Sequence, residues 1–250
     1  MKHLFAFIVA ICFCNLLFAQ QRISLGLKGG MNIPGLGINS SDPVISGYKT
    51  ELSPYYGVEL ECGLNKRWSI LEEVNYANTT ITKNGSQVIP QSAYDNLSIS
   101  SGGYKYLYAD FYSKIQLKYV EMPMMLKYYV YQKKQFNFFV NGGFFVGIPF
   151  YGNVKTTGVG KVYTDEAHTS PLLPFKISLN QQENIEDRLK PINVGLQAGF
   201  GVTLNYGIGE FFANASGNLG FMNIQENSGD GANKTKEATL AVGYLFHLSK

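Results

Sequence analysis

The sequence is short of charge. Only 16% of its 250 residues are Asp, Glu, Lys or Arg, against about 25% in an ordinary soluble domain. It carries three cysteines, three histidines and one tryptophan. A formal charge of +3 is nearly neutral for this length and argues against the strongly basic surface of a nucleic-acid binder. The 14% aromatic content excludes the composition of a disordered chain. Past the first twenty residues no apolar run reaches the ~20 residues a spanning helix needs. What is present is glycine, at 27 residues, with 17 tyrosines and 17 phenylalanines. That composition points to an all-β protein, including one whose outside faces lipid.

The N-terminus reads as a targeting segment. Lys2 precedes an apolar stretch from Leu4 to Phe18 broken only by Asn15, and Ala19 is a small residue placed for cleavage. A secretory signal peptide over 1–19 is expected, leaving a barrel domain over 20–250. Gln20, Gln21 and Arg22 stop the run too early for an anchor. Cys12 and Cys14 follow Ile11 and Phe13, where lipoprotein acylation requires a small residue. Cleavage leaves Cys62 as the one cysteine, so no internal disulfide can form. It also removes Lys2, leaving 20 basic and 18 acidic residues and a charge of +2.

Period-two alternation recurs along the rest of the chain, the signature of strands with two different faces. Ile23, Leu25 and Leu27 alternate with Ser24, Gly26 and Lys28; Tyr56, Val58, Leu60, Cys62 and Leu64 alternate with Gly57, Glu59, Glu61 and Gly63. The clearest case sets Val194, Leu196, Ala198, Phe200, Val202 and Leu204 against Asn193, Gly195, Gln197, Gly199, Gly201 and Thr203. Eight strands are predicted, with further ones near 112–130, 135–150 and 210–222. Short connections at 65–66, 132–134 and 207–209 alternate with long ones near 33–54, 83–111, 151–190 and 223–236. That sorting is expected of an outer-membrane barrel with short periplasmic turns and long extracellular loops.

The face rich in Gly, Ser, Asn and Thr suits the narrow lumen of eight strands, and the large apolar face suits lipid. Aromatics near strand ends suggest two interfacial girdles. Trp68, Tyr128, Tyr131, Phe136, Tyr206, Phe211 and Phe246 fall near the short-turn end; Tyr55, Tyr56, Tyr76, Tyr112, Phe150, Tyr151 and Phe221 fall near the long-loop end. Six charged residues are placed on the lumen face: Lys28, Glu59, Glu61, Glu73, Glu121 and Lys127. Glu121 and Lys127 lie ~20 Å apart along one strand, so they cannot pair with each other but could pair with charges on adjacent strands. Charges in so narrow a space must be paired or hydrated. A salt-bridge plug is favoured over an ion path.

Pro123 cannot donate to a ladder, which predicts a bulge over Tyr119 to Pro123. Apolar Ile115 and Leu117 precede Glu121 and Lys127 on one parity, consistent with such a shift.

The run Tyr119-Val120-Glu121-Met122-Pro123-Met124-Met125-Leu126-Lys127-Tyr128 resembles the tyrosine–aliphatic–Glu–aliphatic–Pro–aliphatic–Lys–Tyr strand of the PorT-like outer-membrane β-barrel family, typical of Bacteroidetes. Gly26 to Asn32, Glu73 to Tyr76 and Leu240 to Phe246 resemble other strands of that family. The resemblance implies an eight-stranded up-and-down transmembrane barrel with both termini periplasmic. A founding member is associated with protein secretion, and most relatives have no known role.

Little else carries chemistry. The mature chain holds only His168 and His247, without metal-ligand spacing. A hydrolytic set would need His168, with Asp165 and Ser170 nearest in sequence. Asn227 to Gly231 lacks the acidic spacing of a calcium loop. Gln181 to Leu189 could form a short helix, with Ile185 and Leu189 on one side. The expectation is a non-enzymatic cell-envelope protein without cofactor or metal. Its partners are outer-membrane lipid and a protein bound at the extracellular loops. The alternatives are an accessory component of a secretion or uptake machine, a narrow channel, or a soluble ligand-binding barrel.

Overall fold

The computed structural model describes residues 22–35, 43, 46–224 and 234–248. The targeting segment and Asn227 to Gly231 lie outside them. In chain order the strands are β1 (Ile23–Pro34), β2 (Lys49–Glu51), β3 (Ser53–Gly63), β4 (Trp68–Ile89), β5 (Leu107–Gln132), β6 (Phe136–Thr157), β7 (Val159–Gly160), β8 (Ile177–Ser178), β9 (Gln181–Asn184), β10 (Asn193–Tyr206), β11 (Gly209–Asn223) and β12 (Lys234–His247). Eight of them, β1, β3, β4, β5, β6, β10, β11 and β12, pair antiparallel in ring order. The ring closes where β1 meets β12, from Ser24 opposite His247 to Pro34 opposite Glu237. The Ser24 hydroxyl and His247 Nδ1, 2.9 Å apart, tie the seam at its short-turn end.

Alternation decides which side of each strand faces in. Leu196, Phe200 and Leu204 are exposed on the outside of β10, while Asn193, Gln197 and Thr203 are buried inside. Large apolar side chains cover the outside of the other strands too, among them Leu27, Val74, Phe144 and Val242. This inversion is stable only where the solvent is hydrocarbon, and closure leaves no unpaired edge there. Among the described residues no helix is long and apolar enough to cross a membrane.

Glycines make the narrow interior possible. Inward Phe139 lies against Gly201, where an added Cβ would sit 2.5 Å from its ring; Phe212 lies at 2.4 Å from the same position on Gly243. A side chain at either glycine would displace the ring. Leu71, Met125, Phe139, Phe145 and Leu245 are also buried inside, so the lumen is less uniformly polar than its small-residue face suggested.

The long-loop end departs most from expectation. β4, β5 and β6 run 22, 26 and 22 residues, where about 9–11 suffice to cross a bilayer. The long connection expected over 83–111 is therefore shortened at both ends by strand, and the loop itself is 90–106. β2 pairs with Thr80 to Thr82 of β4 as an upward continuation of β3. β9 pairs with Asn153 to Thr156 of β6 in the same manner above β10. The result is a five-stranded extension standing above the ring. Ile89, Leu107, Ala109, Phe111, Val162 and Leu179 form its own apolar core. Two loops, 90–106 and 158–176, fold over it.

The segment 181–189 is not a helix. Its first half is β9, and Asn184 Oδ1 then accepts the Glu186 amide at 2.8 Å to open a 3-10 turn, Glu186–Arg188. Ile185 and Leu189 do share a side. They pack with Tyr55, Ile81, Leu117 and Tyr119 as an apolar stopper at the top of the ring.

The register shift near Pro123 also differs. It falls between Lys118 and Tyr119 in the β5–β6 ladder, and the extra residue is Phe150 on β6. β5 keeps one parity from Leu107 to Tyr129. The change from Leu117 to Glu121 marks two stacked layers of lumen, apolar above and charged below. Pro123 faces its missing donor toward β4, where the ladder skips from Glu72–Met124 to Asn75–Glu121.

Candidate functional site

The six charged residues chosen from sequence are all buried inside the ring. Lys28 Nζ lies 2.6 Å from Glu73 Oε2 and 3.9 Å from Glu59 Oε2. Glu59 and Glu73 stand directly opposite each other on β3 and β4, so this lysine relieves a like-charge pair. Gly57, opposite Lys28, keeps β3 close to β4, since a Cβ there would meet Asn75 Oδ1 at 2.2 Å.

Lower in the lumen, Lys127 Nζ donates to Glu61 Oε2 at 2.7 Å. The Tyr129 hydroxyl donates to Glu61 Oε1 at 2.9 Å, and Arg22 Nη2 lies 3.5 Å from the same oxygen. Glu61 thus accepts on both oxygens, as a buried carboxylate requires. Phe139 lies 4.3 Å below the Lys127 ammonium and adds a cation–π contact.

Glu121 is not brought to a cation. Among the described residues no Lys or Arg lies within ion-pair distance of it, and Asn218 Nδ2 donates to its Oε1 at 3.3 Å. Sequence reasoning missed three further members: the buried Glu210 and Glu237, and Arg22, which is exposed at the short-turn mouth. Glu237 accepts Thr79 Oγ1 at 2.7 Å and Asn32 Nδ2 at 2.9 Å. Extending the Thr239–Ala241 parity two residues back would have found it. Arg22 directly follows the apolar targeting segment, and no strand alternation marks it in the sequence.

The short-turn aromatics all lie outside the ring: Trp68, Tyr131, Phe136, Tyr206, Phe211 and Phe246 are exposed and Tyr128 is half-exposed. Trp68 and Tyr128 rings meet at 4.5 Å, and Phe211 touches Tyr244 at 4.7 Å. At the other end Tyr56 stacks on Tyr76 at 4.6 Å, with Phe150 at 6.1 Å from Tyr76. Tyr55 does not belong there; one residue from Tyr56, it points into the lumen and is buried. Tyr112 is also misplaced, since it sits opposite Thr157, far up the extension.

His168 does not join Asp165 and Ser170 as a catalytic group. Asp165 instead accepts the Thr169 and Ser170 amides at 2.8 and 2.7 Å, which holds its carboxyl below the usual carboxylate range. That turn puts His168 at φ 59°. Its ring stacks on Tyr163 at 4.3 Å and reaches Ser86 Oγ at 2.9 Å through Nε2 and Asp110 Oδ2 at 3.3 Å through Nδ1. Ser86 and Asp110 are opposite residues of β4 and β5. Water competes for each of these surface contacts, and the arrangement works as a clasp between loop and strands. Among the described residues no cluster of His, Cys, Asp and Glu could hold a metal.

Residues 18–226 match the model of a family described as the outer membrane protein beta-barrel domain. No curated protein matches the chain. Among solved structures, Neisserial surface protein A aligns at 8% identity and a TM-score of 0.45, over 90% of this chain and 97% of that one. Ail of Yersinia pestis aligns at 12% and 0.35, over 90% and 99%. OprG of Pseudomonas aeruginosa aligns at 12% and 0.36, over 91% and 97%. The closed ring with its apolar exterior sits in the outer membrane, and the chain belongs to the outer membrane protein beta-barrel domain family.

Proposed function

We propose that the protein is a non-conducting display scaffold: a salt-bridged barrel that fixes an extracellular head for binding a protein partner. One observation carries the reading. The strands continue far past the membrane into a five-stranded head with its own core, while charged pairs and the Ile185–Leu189 stopper fill the lumen beneath it. Rigid elements that outrun the bilayer position loops, and loops on a rigid frame are where binding concentrates. Tyr104, Val159 and Phe175 stand exposed on the head. No catalytic role is assigned to the His168 clasp. The Tyr119–Tyr128 motif supports a PorT-like branch, in which the partner would be a component of an envelope machine.

The test is photo-crosslinking in whole cells from positions 104 and 175, with position 133 in a periplasmic turn as the control. One discrete protein adduct from the head positions is expected, with no conductance steps in planar bilayers. Steady conductance without adducts would overturn the scaffold and support a narrow channel.

A further inference from the structure

The outside of the extension, just above the upper aromatic girdle, carries a grid of lysines. Register places Lys49 of β2 opposite Thr82 of β4, Thr82 opposite Lys114 of β5, and Lys114 opposite Lys155 of β6. Three of the four residues in this row are lysines. Lys118 lies on the same face of β5, four residues nearer the membrane, with its ammonium 4.4 Å from the Tyr151 ring. Among the described residues one carboxylate answers them: Glu51, 3.3 Å from Lys114. The row between holds the neutral Gln116 and Asn153.

Like charges directly opposite on a sheet repel, and Lys114 and Lys155 leave neighbouring strands only about 5 Å apart. Glu51 offsets that cost at Lys114, and among the described residues no carboxylate lies within ion-pair distance of Lys155 or Lys118. An anion from outside the chain would offset it there. The height of the patch identifies it. Val120 pairs with Tyr76 of the girdle, and Lys118 lies two residues further, about 7 Å along the strand. Aromatic belts mark the headgroup level, so the patch begins where lipid phosphates lie. The upper row stands about 13 Å beyond Lys118 along the strand, too far for one phosphate to bridge.

We propose that this face binds a diphosphorylated glycolipid headgroup of the outer leaflet. One phosphate lies at Lys118, beside Tyr151, and the other at Lys114 and Lys155. Lysine suits the task, a compact cation with three donors on a flexible stem.

The test uses the full mature chain folded in detergent, with lipid bound read by native mass spectrometry. Diphosphoryl lipid A, monophosphoryl lipid A, the same lipid without phosphate, and inorganic phosphate are compared. Wild type should retain the diphosphoryl form best and the phosphate-free form least. K114A/K118A/K155A should weaken retention by about 10- to 100-fold, while K133A/K134A at the periplasmic turn should not. All variants should keep heat-modifiable gel migration, which reports the folded barrel independently. Equal retention whatever the phosphorylation, or undiminished retention by the triple variant, overturns the proposal. So does displacement of the lipid by inorganic phosphate at equal concentration, which would assign the face to a soluble anion.

Discussion

Lys127 and Glu61 meet at 2.7 Å although they stand on strands that do not pair, β5 and β3, with β4 between them. Only a tightly curved sheet brings side chains two strands apart into contact on its inner face. The pair therefore reports barrel closure. Breaking it by K127M leaves Glu61 buried without its close cation, with Tyr129, Ser69 and the more distant Arg22, and about 3–5 kcal/mol of stability should be lost. K127M/E61L should recover most of that. The check is urea unfolding in detergent, followed by gel migration with and without boiling.

Gly201 should be intolerant of alanine. An added Cβ would lie 2.4 Å from the Ala213 carbonyl oxygen and 2.5 Å from Phe139. G201A should cost about 1–3 kcal/mol. Because the oxygen is backbone, F139L on top of it should restore only part. The same unfolding assay separates these outcomes.

The clasp predicts a local effect. H168A removes both ring contacts to β4 and β5. Exposed contacts of this kind are worth roughly 0.2–1 kcal/mol each, so protease nicking within 158–176 should quicken by about two- to thirtyfold. Heat-modifiable migration should not change, since the clasp touches nothing inside the ring. Loss of that migration would mean that the head helps to hold the barrel.

Acid should loosen the same loop by another route. The Asp165 carboxyl is held below its ordinary value, first by the Thr169 amide and further by the Ser170 amide. A depressed acid stabilises while ionised, so its contribution is present above the usual carboxylate range, about 4, and is lost as pH falls through the lowered value. Hydrogen exchange at the Thr169 and Ser170 amides, corrected for intrinsic rate, should accelerate there. D165N, which cannot ionise, should remove that pH step.

Much of the membrane-embedded part was legible in the sequence because one period governs it. Alternation assigned Leu196 to the outside and Gln197 to the inside, and both lie there. The six lumen charges followed from the same parity. Their partners did not, because Lys127 and Glu61 are related by curvature, which no local pattern carries. Tyr55 looks interfacial in the sequence because aromatics at strand ends are alike until the face is fixed. The head was hidden for a different reason. Leu107, Ala109 and Phe111 keep the inward parity of β5, but lipid no longer defines the outside there, and Tyr108 and Tyr112 blur the contrast. Pairings such as Ser86 with His168 join residues 82 apart and leave no sequence trace.

The extra residue at Phe150 acts as a phase change in the chain. Below it, odd-numbered residues of β6 face the lumen; above it, Tyr151, Asn153 and Lys155 face outward beside Lys118, Gln116 and Lys114. One inserted or deleted codon at this point would exchange the inner and outer chemistry of the upper strand while leaving the transmembrane half in frame. Such a joint lets the exposed surface be rewritten wholesale without retesting the part that must satisfy the bilayer.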